Sequence, residues 1–157
     1  MNLPAKQELI DARDKLSGMI HHTPVLTSST FDELTGAAVF FKCENFQRMG
    51  AYKMRGASHA LAQLTSAEQS KGVTTHSSGN FAQALALASK IKQIKATIVM
   101  PKNVPSVKVS AVKGYGAEII FSGSRPIDRE NAVNELVNES GMSFIHPSND
   151  MNVILGN

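Results

Sequence analysis

The chain has no tryptophan and one cysteine, Cys43. A single thiol closes no internal disulfide, which excludes a disulfide-stapled scaffold and fits a reducing, cytoplasmic compartment. No apolar run nears the ~18 residues that would span a bilayer. The opening segment, Met1 to Glu8, lacks the apolar core of a secretory signal. Charge is sparse as well: 18% of residues are charged and the net is +3. The lysines are scattered, as at Lys90, Lys92 and Lys95, without interleaved aromatics, so no nucleic-acid surface is expected. His21 and His22 are adjacent in an extended segment, where neighbouring side chains point apart, and no metal site is expected. The sequon Asn138-Glu139-Ser140 reads as chance in that compartment.

What the chain does have is 42% hydrophobic residues over 157 positions, enough for one sizeable core. The pattern predicts a helix over 4–18 and an extended segment at His21–Leu26, because Pro24 disfavours a helical Thr23. A short helix runs from Ser28 or Ser29 to Leu34, and Gly36 ends it. Val39–Lys42 reads as the first strong strand. Met54, Ala57, Leu61 and Leu64 share one helical face. Helix 80–92 turns Phe81, Ala84, Leu85, Ala88 and Ile91 to one side. Strands at 73–75, 96–100, 117–121 and 143–145 alternate with helices at 80–92, 105–113 and 126–139, the last carrying Ile127, Val133, Leu136 and Val137. The strands are apolar on both faces. A three-layer α/β fold follows, a parallel sheet with helices on both faces and right-handed crossovers. The first ~45 residues belong less clearly to this unit.

Two motifs carry chemistry. Lys53 stands between Tyr52 and Met54, just after Gly50, where an apolar helical pattern begins. An amine set among apolar neighbours at a helix start is suited to attack a carbonyl; alternatively it snorkels from a helix edge. The second motif, Ser77-Ser78-Gly79-Asn80, joins a strand end to a helix start. Backbone N–H groups there bind carboxylate or phosphate, and Gly79 allows close approach to the main chain. Serine, glycine and asparagine are also ordinary helix caps.

Taken together, Glu44-Asn45-Phe46-Gln47, Gly50 to Ala57, and Ser77 to Asn80 followed by Ala82-Gln83-Ala84 closely resemble the serine racemase and serine/threonine dehydratase family. These are fold-type II pyridoxal-phosphate enzymes, related to the tryptophan synthase β fold. The likeness continues through Thr23–Leu26, Ile98–Pro101, Gly114–Ala117 and His146-Pro147, so it covers essentially the whole chain. It implies a fold-type II small domain plus the N-terminal arm of a large domain: residues 1–47 the arm, 48–147 the small domain, 148–157 the return to the large domain. It implies pyridoxal 5'-phosphate as cofactor, small hydroxy-amino-acid substrates (serine, threonine or 3-hydroxyaspartate), racemisation or β-elimination, and a homodimer.

By resemblance, Lys53 matches the lysine that bonds the cofactor's aldehyde and serves as base and acid on one face of the substrate Cα. Asn80 matches the residue that hydrogen-bonds the cofactor's phenolic oxygen. Ser77, Ser78, Gly79 and Asn80 match the loop that grips the substrate carboxylate, and Ser78 the serine that handles the proton on the opposite Cα face. The positions that hold a nucleotide effector at a subunit interface in animal serine racemases correspond to Ser28, Ser29, Thr30, Arg48, Met49, Gln83 and Tyr115. The chain departs from the pattern at Tyr52 (usually phenylalanine), at Phe81 (usually histidine), at Ser148 (asparagine in animal racemases) and at Met49, which offers no hydroxyl. Family members run to about twice this length, and no glycine-rich loop for the cofactor phosphate occurs here. Three functions are compatible with half a site: the N-terminal portion of a catalyst, a non-catalytic domain that pairs with a full-length paralogue, or an anion binder without chemistry.

Other candidates carry simpler readings. Cys43 reads as a core residue. His76 and His146 lie near strand ends as satisfied loop histidines or supports of the site. Asp128, Arg129 and Glu130 read as a solvated cluster at a helix start.

Overall fold

The computed structural model describes residues 3–157; Met1 and Asn2, the first two positions of the expected arm, lie outside the described residues. Four strands form one parallel sheet in the order β5-β4-β3-β6: β3 (Val73–His76), β4 (Ala96–Pro101), β5 (Glu118–Ser122) and β6 (Ser143–Phe144). Parallel strands need crossovers, and the chain supplies α5 (Asn80–Lys92), α6 (Ser106–Gly114) and α7 (Pro126–Ser140). The path steps from β3 to β4 to β5 and then returns to β6 on the far side of β3. With right-handed crossovers, that reversal puts α5 and α6 on one face of the sheet and α7 on the other. The expected three-layer architecture is therefore present.

The core is thickest on the α5 side. Phe81, Ala82, Ala84, Leu85, Ala86 and Ala88 are buried, and the small residues among them let α3 (Lys53–Gln63) come close behind α5. Met54, Ala57 and Leu61 of α3 are buried as their spacing predicts. Gly56, Ser58 and His59 are buried too, because α8 (Met151–Gly156) covers the opposite side of α3. That contact is backbone on backbone. A Cβ on Gly56 would lie 2.6 Å from the Val153 carbonyl oxygen, and one on Gly156 would lie 2.6 Å from the His59 Cβ.

A second, two-stranded antiparallel sheet pairs β1 (Val25–Thr27) with β2 (Phe40–Lys42). Helix α2 (Ser29–Thr35) leans on it through an edge-on contact of Phe31 with Phe41, 5.1 Å between ring centres. Helix α1 (Lys6–Lys15) packs against α8 and α3.

Several expectations are corrected. Ile91 and Ile127, placed on inward helix faces, are half-exposed. The strands are not all covered on both faces: β5 is the sheet edge and exposes Ile120 and Phe121. Cys43 is not a core residue; it is partly exposed, and its thiol donates to the Phe41 carbonyl at 3.4 Å. A helix the periodicity did not reveal, α4 (Ser66–Lys71), fills the segment before β3. It is too short for an apolar stripe, and its signal is the capping box: Thr65 accepts from the Glu68 N–H while Glu68 accepts from the Thr65 N–H.

Candidate functional site

In an open parallel sheet, ligands bind beyond the carboxyl ends of the strands where the strand order reverses. Here the reversal falls between β3 and β6. The Ser77–Asn80 loop leaves the end of β3, and His146-Pro147 follows the end of β6.

Lys53 opens α3, and its side chain is half-buried. Its amine donates to the Pro147 carbonyl oxygen at 3.2 Å and lies 5.0 Å from the centre of the Tyr52 ring. Among the described residues it takes part in no ion pair. The amine is thus held at the strand ends by a neutral acceptor and an aromatic face, and is not neutralised by a carboxylate. Pro147 is a partner that sequence reasoning missed, since nothing local links positions 94 residues apart.

The Ser77–Asn80 loop is built to leave donors free. The Ser77 N–H is spent on the Val99 carbonyl, which locks the loop's base to β4. The buried Ser77 hydroxyl accepts from the Gly79 N–H at 3.3 Å, and its own proton remains available. Gly79 caps α5 without any side-chain cap bond, so the first amides of this 13-residue helix keep their unsatisfied N–H groups and the positive end of its dipole. A Cβ built at Gly79 would meet nothing within 4 Å, so the approach to these amides is open. Ser78 is half-buried and Asn80 exposed on the same loop.

Behind the loop sits a ring cluster. His76 stacks on Phe144 at 5.3 Å, and His146 meets both edge-on, at 5.5 Å from His76 and 5.9 Å from Phe144. Burial pushes the His76 imidazole below its ordinary range, and the Arg129 charge adds to the effect. Arg129 corrects the solvated-cluster reading: it is half-buried, and its Nε is buried with no hydrogen-bond partner. Asp128 is tied to Arg125 instead, at 2.7 Å. A partly buried cation beside a strand-end histidine was visible only as a helix-start charge in the sequence.

Within this one chain the seven positions matched to an effector fall into two groups. The Arg48–Gly50 turn and α6 both pack on α5, which brings Arg48, Met49, Gln83 and Tyr115 around that helix. Ser28, Ser29 and Thr30 start α2, on the separate two-stranded sheet, and α2 has no substantial contact with α5 or α6 among the described residues. A further cleft of about 560 Å³, lined by residues including Arg13, Leu16, His22 and Lys42, contains none of the expected site residues.

A family profile described as "Pyridoxal-phosphate dependent enzyme" matches residues 16–157. The chain belongs to the pyridoxal-phosphate dependent enzyme family. Within it, the chain is 43% identical over 150 residues to a serine racemase of Dictyostelium discoideum, covering 96% of this chain and 46% of that protein. The crystal structure of the serine racemase from that organism superimposes with a TM-score of 0.91, over 96% of this chain and 49% of that one. An L-threo-3-hydroxyaspartate ammonia-lyase of Saccharomyces cerevisiae is 44% identical over 156 residues, 99% of this chain and 48% of that protein. The chain spans about half the length of the curated relatives it matches.

The residues present fit the family's cofactor. An amine with no carboxylate partner suits its aldehyde, and the loop at the end of the neighbouring strand β3 has free amides at the start of α5 and is open above Gly79.

Proposed function

We propose that this chain carries the lysine-bearing half of a site for pyridoxal-phosphate-dependent racemisation or β-elimination of a small 3-hydroxy-amino acid. The observation that carries the reading is the Lys53 amine held on Pro147, just past the end of β6, while the donor-bearing Ser77–Asn80 loop leaves the end of β3, the strand paired with β6. Lys53 would hold the cofactor through its aldehyde and Asn80 through its phenolic oxygen. Bound there, the cofactor supplies the electron sink that makes the substrate's Cα–H bond acidic.

The chain's own groups do the rest. The Ser77 hydroxyl and the Asn80 amide orient the substrate carboxylate, and Gly79, whose own N–H is given to Ser77 Oγ, leaves the approach open. Lys53 Nζ takes the Cα proton on one face, and Ser78 Oγ delivers or removes one on the other. Return of a proton to the opposite face inverts the centre; departure of the β-hydroxyl gives elimination. The Arg129 cation fits a substrate with a second carboxylate, which favours 3-hydroxyaspartate beside serine and threonine. The division into an arm over 1–47 and a small domain over 48–147 is supported by the two separate sheets. A dimer and a cytoplasmic location complete the proposal; the exposed Phe40, Leu34 and Leu26 offer surface for a partner.

The test is borohydride reduction of the purified chain incubated with pyridoxal phosphate, followed by peptide mass mapping. The cofactor's mass should appear on the peptide holding Lys53, and Lys53→Ala should remove it. Cofactor fixed evenly over the surface lysines would defeat the reading.

A further inference from the structure

We propose that His146 is a positioning residue for Lys53: through one peptide plane it turns the Pro147 carbonyl toward the lysine amine. This rests on the role assigned to Lys53 above.

The backbone N–H groups of Ser148 and Asn149 both donate to His146 Nδ1, at 3.1 and 2.7 Å. A backbone amide can only donate, so Nδ1 carries no proton and the ring's proton sits on Nε2. An acceptor at one residue that takes the N–H groups two and three positions on reproduces the turn that asparagine and aspartate side chains make. Histidine here does the work of an asparagine, with a ring attached.

The Ser148 N–H and the Pro147 C=O belong to the same peptide group. That group is planar and trans, as no cis bond occurs among the described residues, so its N–H and C=O point in opposite directions. Once Nδ1 draws the Ser148 N–H to one side, the Pro147 oxygen must face the other, where it meets Lys53 Nζ at 3.2 Å. The ring that sets the plane is itself fixed, edge-on against His76 and Phe144 at the ends of β3 and β6. Burial favours the neutral form of the His76 ring that faces it. The chain of contacts therefore runs from the sheet to the imidazole, from the imidazole to the peptide plane, and from the plane to the amine.

Two variants separate the acceptor from the ring. His146→Asn keeps an acceptor at the same reach and loses the ring; His146→Phe keeps the ring and loses the acceptor. The readout is trace acetylation of the cofactor-free 157-residue chain, with Lys53 labelling measured against Lys90 by mass spectrometry. His146→Phe should raise relative labelling of Lys53 by about threefold or more, as loss of one hydrogen bond on the amine would. His146→Asn should stay at the level of the unsubstituted chain. Unchanged labelling in His146→Phe, or an equal rise in both variants, would overturn the proposal. The unsubstituted chain gives an answer that does not depend on either variant folding: its ¹⁵N spectrum at neutral pH should show His146 Nδ1 as the unprotonated acceptor, and a protonated Nδ1 would overturn the proposal. Should labelling follow the expected pattern while borohydride fixes no cofactor on Lys53, the proposed function falls and the His146 clamp stands.

Discussion

Arg55 grips Glu44 with two parallel hydrogen bonds, Nε to Oε2 at 2.8 Å and an Nη to Oε1 at 2.7 Å. The pair is four-fifths buried and joins the segment after β2 to the first turn of the lysine helix. Thr23 adds a third bond to the same carboxylate at 2.6 Å. With the packing of α1 on α3, this fork ties the N-terminal segment to the element that carries Lys53.

The Arg55 hydrogen bonds hold the Glu44 carboxyl down at about 2, against an ordinary 4.5. Because the folded value is the lower one, the pair's contribution is complete above about 4.5 and is lost as pH falls toward about 2. Glu44→Gln should cost ~1–3 kcal/mol at neutral pH and flatten the stability profile in that window. Urea melts at several pH values measure both. A variant whose profile still falls as steeply there would show that another group is responsible.

His76 should add an earlier acid-side loss. Its folded value is depressed, chiefly by burial, so stability is complete above the ordinary 6.5 and declines as pH drops below it. His76→Phe keeps the stacking on Phe144 and should remove the decline just below 6.5 while leaving the Glu44 window unchanged.

Gly79→Ala separates binding from folding. Its φ of −115° suits any residue and the added methyl meets no protein atom within 4 Å, so stability should stay within ~0.5 kcal/mol. The methyl would stand over the open amides of α5, and carboxylate or cofactor affinity should fall about tenfold or more, a loss of ~1.4 kcal/mol. Equal affinity in titrations of the two proteins would remove the loop from the site.

Gly56→Ala should do the reverse. The methyl would press on the Val153 carbonyl at 2.6 Å, costing ~1–3 kcal/mol and lowering the melting temperature by roughly 2–4 °C for each kcal/mol. Calorimetry decides. Unaltered melting would mean that α8 moves aside without cost.

Arg129→Met should weaken binding of 3-hydroxyaspartate more than of serine, since only the former offers a second carboxylate. Equal losses for both ligands in parallel titrations would assign Arg129 to the fold alone.

Much of this architecture was legible because its signals are local. Helix α5 was read with the bounds it has, 80–92, from the small-residue run after the Ser77–Gly79 turn and its apolar spacing. The parallel sheet followed from the alternation of short β-rich runs with helices. What escaped notice is made by distant segments meeting. Nothing near Lys53 announces Pro147, and nothing near Arg129 announces His76. Ile91 and Ile127 were misplaced for a related reason: periodicity says which residues are apolar, but not which helix face lacks a neighbour.

The Gly56–Gly156 crossing sets a limit on how the molecule can vary. Two residues without side chains have no rotamers to adjust, so the spacing of the two helices is dictated by main-chain atoms alone. The Ser77–Asn80 loop, by contrast, is open above Gly79, where an added methyl would meet no protein atom within 4 Å. Side chains on that loop can therefore change while the height of the Lys53 nitrogen stays where the backbone put it.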